Sequence, residues 1–313
     1  MAVAPQAGDG HDASAPPRTR LGILGWPVGH SRSPAMHGAA LRALGLATWS
    51  YQHLPVPPEL FAETTRALGG AGFRGANVTI PHKHAALALA DSASAAAREI
   101  GAANTLSFAA DGAIAAENTD APGLIAAMER SPKGLSALVL GAGGSARAAV
   151  WALREAGARE ISVWNRTAAR AADLARTLGV RPVRAPESAD ILVNCTSVGL
   201  AGPPGTDLAT DGQERDEALN QLRLTLDLVG RYSYVVDLVY REGSTPLLLA
   251  ARERGVATLD GLEVLVAQGA LSLELWTGRE APVEVMRRAA REEPAEDSRA
   301  AREHAAEPLP SSD

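Results

Sequence analysis

The 313-residue chain is poor in cysteine, in aromatic residues and in long apolar runs. Its single cysteine, Cys195, excludes an intrachain disulfide and with it the small disulfide-rich scaffolds of secreted proteins. No apolar run reaches the roughly 18 residues that a membrane helix needs, and residues 1–17 lack the apolar core of a signal peptide. We therefore expect a cytoplasmic protein with no membrane partner and a core built on alanine and leucine.

An excess of basic charge is also missing, since the net charge is −6. This balance argues against a nucleic-acid partner. Hydrophobic residues make up 46% of the chain, which is enough for a sizeable core, and the length suits two domains of about 150 residues each. Residues 1–19 and 292–313 have little to bury, and we predict that both are disordered.

Lysine is nearly absent: of 30 basic residues, only Lys83 and Lys133 are lysines. Arginine keeps its charge at any working pH, whereas lysine can lose its proton and serve in acid–base chemistry. An isolated lysine is more often a solvated surface residue than a catalytic one, so the surroundings of Lys83 must decide. Lys83 ends the stretch Asn-Val-Thr-Ile-Pro-His-Lys at residues 77–83.

The N-terminal third alternates between strand and helix patterns. Short runs at 21–25, 50–55 and 75–80 predict strands, and segments 36–44 and 58–68 predict helices between them. This alternation is typical of a parallel α/β sheet, in which ligands bind at the carboxyl ends of the strands.

Polar residues follow these strands where a ligand would bind. Ser31 and Ser33 precede a helix, and two hydroxyls beside a helix N-terminus suit a carboxylate or a phosphate. Ordinary capping by Ser33, which needs only one serine, is the alternative. Asn77, Thr79 and Lys83 belong to the third strand end, so we expect them in the same crevice as the two serines.

Two further polar residues flank a predicted hairpin centred on residues 111–112. Asn104 opens the first strand of this hairpin, and Asp120 precedes a helix predicted at 124–129. An N-cap role is the plainest interpretation of Asp120.

Residues 141–146 carry the most specific local motif. Gly141, Gly143 and Gly144 fit the pattern G-x-G-x-x-G/A, with Ala146 in the third position. The motif lies between a predicted strand and a predicted helix of a βαβ unit, which is the context that dinucleotide binding requires. The glycines permit a tight turn, and a diphosphate then meets the helix N-terminus.

The next strand, predicted at 160–164, leads into Asn165, Arg166 and Thr167, with Arg170 one turn later. An NAD site would place an acidic residue here for the ribose 2′-hydroxyl. Two arginines instead suit a 2′-phosphate, so we infer that the cofactor is NADP. The alternative is that both arginines are solvated residues at a helix start.

The remaining chain predicts strands at 190–194, 234–240 and 256–259, a polar loop with a surface helix at 203–226, and an apolar helix at 261–276. Gln268 lies within the last helix, where a polar residue needs a partner in the core or a ligand. We interpret Cys195 as a small packing residue.

Taken together, these blocks resemble the shikimate dehydrogenase family from about residue 21 to residue 291. The matching blocks are Ser-Arg-Ser-Pro at 31–34, residues 77–83, Asn-Thr-Leu at 104–106, Asn-Thr-Asp at 118–120, residues 141–146, Asn-Arg-Thr at 165–167, Asn-Cys-Thr-Ser at 194–197, Asp-Gly-Leu at 260–262 and Val-Ala-Gln at 266–268. Each block alone is weak, but their order and spacing together are specific.

The resemblance implies reversible reduction of 3-dehydroshikimate to shikimate with NADPH, with no metal. It implies a substrate-binding and catalytic domain at 20–120 plus 265–291 and a Rossmann-type NADP domain at 121–264, with the active site in the cleft between these two α/β domains. A small molecule would be the main partner, and the protein would be a monomer or a homodimer.

The same resemblance assigns roles to individual residues. Lys83 and Asp120 would form the catalytic pair. The substrate would be bound by Ser31 and Ser33 at its carboxylate and by Thr79, Asn104, Asp120 and Gln268 at its hydroxyls, with Tyr240 nearby. The cofactor would be bound by Gly141, Gly143, Gly144, Asn165, Arg166, Thr167 and Arg170, and on the nicotinamide side by Thr196, Leu238 and Gly261.

Two residues depart from the family pattern: Ala121 replaces a usual glycine, and His82 replaces a frequent aromatic residue. The family also includes relatives that use quinate or amino-shikimate, and the motifs distinguish poorly between these and shikimate-using members. A catalytically silent member that binds NADP and shikimate-like ligands is a further alternative, against which the intact Lys83 and Asp120 argue.

Overall fold

The computed structural model describes residues 18–200, 211–241 and 243–292, and these contain two six-stranded sheets. The first sheet consists of β1 Thr19–Gly25, β2 Trp49–Pro55, β3 Phe73–Val78, β4 Ser92–Ala93, β5 Thr105–Phe108 and β6 Ile114–Glu117, in the spatial order β2-β1-β3-β5-β6-β4. The second consists of β7 Ser136–Leu140, β8 Glu160–Trp164, β9 Arg181–Pro182, β10 Ile191–Asn194, β11 Tyr234–Asp237 and β12 Ala257–Asp260, in the order β12-β11-β10-β7-β8-β9.

Helices cover both sheets. In chain order they are α1 Ser33–Ala43, α2 Phe61–Leu68, α3 Lys83–Leu89, α4 Ala95–Ile100, α5 Asp120–Ala127, α6 Gly144–Glu155, α7 Ala168–Leu178, α8 Asp211–Gln221, α9 Leu226–Val229, α10 Pro246–Glu253, α11 Gly261–Thr277 and α12 Val283–Arg291. A short 3-10 turn, Pro58–Leu60, precedes α2.

The first sheet is mixed. β1 pairs in parallel with β2 and β3, as the alternation of strands and helices predicts. β5 instead runs antiparallel to β3 and β6, and the chain reverses between β5 and β6 at Asp111 and Gly112. Gly112 has a φ of +88°, a backbone conformation that glycine adopts without steric cost.

The second sheet is parallel throughout. The chain passes from β7 to β8 on one side and then to β10 on the other, so the strand order reverses at the carboxyl end of β7. In open α/β sheets this switch point is where ligands bind. The expected fold class, an N-terminal α/β unit beside a Rossmann-type unit, is confirmed.

Helix α11 connects the two sheets. It starts where β12 ends in the second sheet and packs against α5 and α1. Near its end, Trp276 Nε1 donates a hydrogen bond to the carbonyl oxygen of Leu106 in the first sheet, at 3.1 Å. Helix α12 then packs on α1, so the C-terminal helices cover the first sheet. The domain limits stay a prediction, and the limit at residue 265 lies inside α11.

The structure does not support the two alternative interpretations as helix caps. Helix α1 begins at Ser33 itself, with Arg32 at the N-cap position, and the Ser33 amide donates to Ser31 Oγ at 3.3 Å. Helix α5 begins at Asp120, with Thr119 at the N-cap position. Asp120 is therefore not a capping residue, and its carboxylate is used elsewhere.

The ends of the described chain differ slightly from expectation. β1 begins at Thr19, which pairs with Trp49, so the strand starts two residues before the expected one and Thr19 is not part of a disordered tail. Residues 1–17 and 293–313 lie outside the described residues. So do residues 201–210, which include the start of the 203–226 stretch. The rest of that stretch includes α8, which buries Leu219 against the second sheet instead of lying only on the surface. Across the described ranges, no helix combines the length and apolar character that a membrane crossing requires.

Candidate active site

A cavity of about 180 Å³ opens between the carboxyl ends of the two sheets. The sequence analysis assigned twelve of the residues that line it to the expected site. They are Ser31, Ser33, Asn77, Thr79, Lys83, Asn104, Asp120, Thr196, Leu238, Tyr240, Gly261 and Gln268. The structure therefore brings the expected catalytic, substrate and nicotinamide-side residues together in one place.

Lys83 lies at the centre of this cavity. It is the first residue of α3, just beyond the carboxyl end of β3, and only 9% of it is exposed. Its Nζ donates to Asp120 Oδ2 at 2.6 Å and to Ser145 Oγ at 2.9 Å. A lysine that is largely buried and has two close hydrogen-bond acceptors is not a solvated surface residue. Its retention is notable because the chain otherwise uses almost no lysine.

Asn104 fixes the other carboxylate oxygen. Its Nδ2 lies 2.8 Å from Asp120 Oδ1 and 3.1 Å from Gln268 Oε1. Its Oδ1 accepts from the Thr119 backbone amide at 2.7 Å. The Asp120 carboxylate is thus held at both oxygens, one by Asn104 and the other by Lys83.

Behind these residues is a buried polar layer that the sequence analysis left largely unassigned. Asn77 Nδ2 donates to Ser272 Oγ at 2.9 Å and to Thr105 Oγ1 at 3.2 Å, while Asn77 Oδ1 accepts from the Tyr51 hydroxyl at 2.8 Å. Thr119 Oγ1 lies 3.1 Å from Ser272 Oγ. The layer joins β2, β3, β5 and α11, so it fixes the strand ends that carry the cavity residues.

Ser31 and Ser33 form one wall of the cavity. Both are almost fully buried as residues, although they line the cavity. Tyr51 lies behind them, where burial raises the pKa of its hydroxyl and a hydrogen bond with Ser33 opposes that rise. Two converging hydroxyls near the start of α1 give a site suited to a carboxylate.

The glycine-rich loop reaches the cavity through Ser145, whereas Gly141, Gly143 and Gly144 do not line it. Gly141 has a φ of +111°, and a Cβ there would lie 3.1 Å from the Cys195 backbone. A Cβ at Gly143 would meet nothing within 4 Å, which leaves open space in front of the N-terminus of α6. These residues fit a dinucleotide, because a diphosphate needs close backbone approach and unpaired helix amides.

Asn165, Arg166, Thr167 and Arg170 follow β8 and do not line the cavity. β8 is the parallel neighbour of β7, so both carboxyl ends lie at the same edge of the second sheet. Arg166, Thr167 and Arg170 are exposed, and Asn165 Nδ2 donates to the Thr167 carbonyl oxygen at 3.0 Å. This is the position at which a ribose 2′-phosphate is expected.

A second buried carboxylate is that of Asp237, the last residue of β11, which directly precedes Leu238 on the nicotinamide side. Its Oδ1 accepts from Asn194 Nδ2 at 2.8 Å and from the Val239 amide at 3.1 Å, and its Oδ2 accepts from Thr245 Oγ1 at 2.6 Å. Burial raises the pKa of Asp237 to about 6, while these hydrogen bonds oppose the rise. Asn194 in turn accepts from Thr196 Oγ1 at 2.8 Å, so Asp237 anchors the loop that carries Thr196.

Sequence reasoning missed some of these residues. Ser145 occupies a variable position of the glycine motif, and Ser272 lies in an apolar helix, so neither had a local signal. Asp237 had one, because it ends a strand of the parallel sheet beside the predicted nucleotide site. Cys195 is only partly buried and lines the cavity, although burial raises the pKa of its thiol.

The two departures from the family pattern lie close to the site. His82 is buried, stacks on Phe61 with ring centroids 4.3 Å apart, and bonds to the Val56 carbonyl oxygen at 2.7 Å. Desolvation lowers the pKa of His82, so the neutral ring fills the place of an aromatic side chain. Ala121 is fully buried in α5.

Within the described ranges, no group of three His, Cys, Asp or Glu residues is arranged to hold a metal ion.

Comparisons with known proteins agree with this geometry. Family models match three parts of the chain: the shikimate dehydrogenase substrate binding domain at residues 23–106, shikimate / quinate 5-dehydrogenase at 125–198, and the shikimate 5'-dehydrogenase C-terminal domain at 261–291.

Curated relatives and a solved structure match over most of their lengths. The chain is 44% identical to a shikimate dehydrogenase (NADP(+)) of Methylobacterium radiotolerans, covering 83% of this chain and 91% of that protein. It is 42% identical to one of Paracoccus denitrificans, covering 84% and 92%. The crystal structure of a Thermus thermophilus shikimate 5-dehydrogenase with NADP(H) and shikimate superposes with a TM-score of 0.74 at 41% identity, covering 87% and 98%.

Proposed function

The chain belongs to the shikimate dehydrogenase family, and we propose that it interconverts 3-dehydroshikimate and shikimate with NADP(H), using Lys83 and Asp120 at the reacting oxygen. One observation carries the assignment of roles. Lys83 Nζ and Asp120 Oδ2 are 2.6 Å apart in the cavity where the two sheets meet.

The chemistry at the ketone explains why a lysine is needed. Reduction builds negative charge on the carbonyl oxygen, and a positioned proton donor stabilises that charge. Lys83 gives a proton to this oxygen as the alcohol forms and regains one from solvent. In the direction of oxidation, the neutral Lys83 amine takes the hydroxyl proton. NADPH, when bound, supplies the hydride to the carbonyl carbon.

Asp120 orients the lysine and binds the substrate. It is partly exposed to the cavity, with 19% of its side chain accessible. Asn104 restrains its Oδ1, so the carboxylate cannot rotate away from Lys83. Gln268 and Thr79 are placed to bind the remaining ring hydroxyls, and Tyr240 lines the cavity beside them.

The substrate carboxylate is bound at the wall formed by Ser31 and Ser33. Since these hydroxyls and Gln268 line the same cavity, the ring is held between its carboxylate and its hydroxyls. Holding both ends fixes which carbon faces the second sheet, which is the orientation that hydride transfer requires.

The cofactor is held along the carboxyl edge of the second sheet. Gly141, Gly143 and Gly144 receive the diphosphate at the start of α6, and Arg166 and Arg170, with Asn165 and Thr167, receive the 2′-phosphate. Thr196, Leu238 and Gly261 contact the nicotinamide side. A Cβ at Gly261 would lie 2.6 Å from the Leu238 carbonyl oxygen, so only glycine allows these two chain segments to meet there.

The assay that tests this function follows NADP⁺ reduction with shikimate, and with quinate in parallel. We expect turnover with shikimate and a higher kcat/KM for shikimate than for quinate. Equal kcat/KM values would assign the protein to the quinate-using branch. NADP⁺ binding without turnover on either substrate would instead identify a non-catalytic binding protein.

The role of Lys83 is tested by Lys83→Ala. We expect kcat to fall about a thousandfold, because the variant loses both proton transfer and a charge beside the developing oxyanion. Lys133→Ala is the matched control, since Lys133 is the chain's other lysine and is exposed. A loss below about tenfold in the Lys83 variant, equal to about 1.4 kcal/mol, would exclude the catalytic role.

A further inference from the structure

Ser145 is the one polar side chain in residues 141–146, and the proposed function leaves it without a role. It is the second residue of α6 and is partly buried. Its hydroxyl oxygen accepts a hydrogen bond from Lys83 Nζ at 2.9 Å. The catalytic lysine is therefore bonded to the start of α5 through Asp120 and to the start of α6 through Ser145.

The aliphatic part of Lys83 is restrained by the same loop. A Cβ at Gly144 would lie 2.9 Å from Lys83 Cβ and 3.0 Å from Lys83 Cδ, so the lysine side chain passes directly over this glycine. The Lys83 carbonyl oxygen accepts from the Ala103 amide at 2.9 Å. The backbone of Lys83 and its stem as far as Cδ are thus restrained, which leaves the position of Nζ to be set by the hydrogen bonds of the ammonium group.

An ammonium group has three N–H donors. In Lys83 one points to Asp120 Oδ2 and a second to Ser145 Oγ. Because the three donors are arranged tetrahedrally, two fixed acceptors determine the direction of the third. Lys83, Ser31 and Ser33 line the same cavity, so this third donor is available to a molecule bound there.

We propose that Ser145 is a positioning residue that fixes the rotation of the Lys83 ammonium, so that its remaining N–H faces the reacting oxygen of the substrate. The proposal rests on the proposed function of Lys83 as proton donor. With Asp120 as the only acceptor, the Cε–Nζ end of the side chain can turn about that single hydrogen bond, and its free protons are aimed at the oxygen only part of the time.

The competing role for Ser145 is a contact with the cofactor diphosphate, since it belongs to the glycine-rich loop. The two roles affect different kinetic constants. Loss of a diphosphate contact raises KM for NADP⁺ and leaves hydride transfer unchanged, whereas loss of ammonium orientation slows transfer at unchanged KM for both substrates.

The kinetic experiment compares wild-type enzyme with Ser145→Ala and Ser145→Thr in single turnovers of shikimate and NADP⁺. We expect Ser145→Ala to slow hydride transfer about tenfold, the size of one hydrogen bond to a charged group. The solvent deuterium isotope effect on this step should increase, because proton transfer becomes less well aligned. Ser145→Thr retains the hydroxyl and should restore the rate to within about threefold of wild type.

A second measurement does not need turnover. Because the chain has only two lysines, protein carrying ¹⁵N at lysine Nζ gives two ammonium signals, and exposed Lys133 is the internal reference. We expect hydrogen exchange of the Lys83 ammonium to be about tenfold faster in Ser145→Ala than in wild type, and restored in Ser145→Thr.

The outcomes separate the two hypotheses. The positioning role is overturned if wild type and Ser145→Ala transfer hydride at equal rates, or if the substitution raises only the KM for NADP⁺. It is also overturned if hydrogen exchange of the Lys83 ammonium is unchanged. If wild-type protein shows no turnover with shikimate while Lys83 exchange still responds to Ser145→Ala, the proposed function fails and the hydrogen bond that fixes the ammonium stands.

Discussion

The substrate side and the cofactor side of the cavity hold their polar groups in different ways. On the substrate side, Asn77 and Asn104 are each at most 4% exposed and bonded to several partners. On the cofactor side, Arg166 and Arg170 are exposed at the edge of the second sheet. A small ring with few atoms needs donors fixed in advance, whereas a charged phosphate is bound well by mobile cations.

This comparison predicts two kinds of mutational effect. A substitution on the substrate side leaves buried partners without hydrogen bonds, so it should reduce stability and rate together. A substitution on the cofactor side exposes nothing new, so it should reduce affinity for one ligand and leave stability unchanged. The variants below test this distinction, beginning with the largest expected effect.

Asn104→Ala should lower both stability and activity. The variant removes the partner of Asp120 Oδ1, of Gln268 Oε1 and of the Thr119 amide, and we expect a loss of about 2–4 kcal/mol in the free energy of unfolding. We expect kcat to fall at least about a hundredfold, because Asp120 no longer has a fixed orientation. Urea unfolding and the shikimate assay measure the two effects.

The matched substitution on the cofactor side is Asn165→Ala, at a partly buried asparagine. Its free energy of unfolding should stay within about 0.5 kcal/mol of wild type. Equal losses of stability in the two asparagine variants would remove the distinction between the two sides.

Arg166→Gln should weaken NADP⁺ binding about tenfold and leave NAD⁺ binding unchanged, because only NADP⁺ carries the 2′-phosphate. Arg170→Gln should act in the same direction. The control is Arg159→Gln, an exposed arginine just before the opposite end of β8. Calorimetric titration of each variant with both cofactors gives the comparison, and equal weakening of NAD⁺ binding would reject a 2′-phosphate site.

The last test concerns pH and His37, which lies in α1 on the substrate side. His37 is fully buried and stacks on Tyr51 with ring centroids 4.3 Å apart. Neither ring nitrogen has a hydrogen-bond partner among the described residues, and desolvation lowers the pKa of His37 from 6.5 to about 3.

Between these two pKa values the unfolded chain binds a proton that the folded chain does not. The free energy of unfolding must therefore fall as the pH falls below 6.5, by up to about 1.4 kcal/mol per pH unit from this group. His37→Leu should flatten the dependence between pH 6 and pH 4. Met36→Leu, a buried neighbour in α1 without a titratable group, should leave the slope as in wild type. Parallel profiles for His37→Leu and wild type would contradict the assignment.

Local sequence patterns were sufficient where a motif and its partners lie close together in the chain. β8 was predicted with its observed limits, because an apolar run is bounded by Gly157 and Asn165. The glycine-rich turn was predicted for the same reason. Lys83 was assigned to the crevice because it follows a strand end, and parallel strands bring their carboxyl ends to one edge. Asp120 had an N-cap role as its plainest interpretation, and only the family resemblance paired it with Lys83.

The polar layer behind the site could not be predicted in the same way. Thr105 and Ser272 are ordinary strand and helix residues in sequence, and they acquire a role only because their hydroxyls lie 3.0 Å apart in the structure. Ser145 likewise depends on the distance between α3 and α6. Such contacts follow from the packing of distant segments, which residue spacing along the chain does not encode.

The bond from Asn77 to Ser272 also has a consequence for the order in which the protein is made. The two residues are 195 positions apart, and the entire second sheet is synthesised between them. The ribosome must therefore release the cofactor-side sheet, complete from β7 to β12, before the first sheet can acquire α11. During this interval the amide of Asn77 and the hydroxyl of Thr105 lack their Ser272 partner, so the first sheet stays incompletely bonded until α11, synthesised after the whole second sheet, has formed.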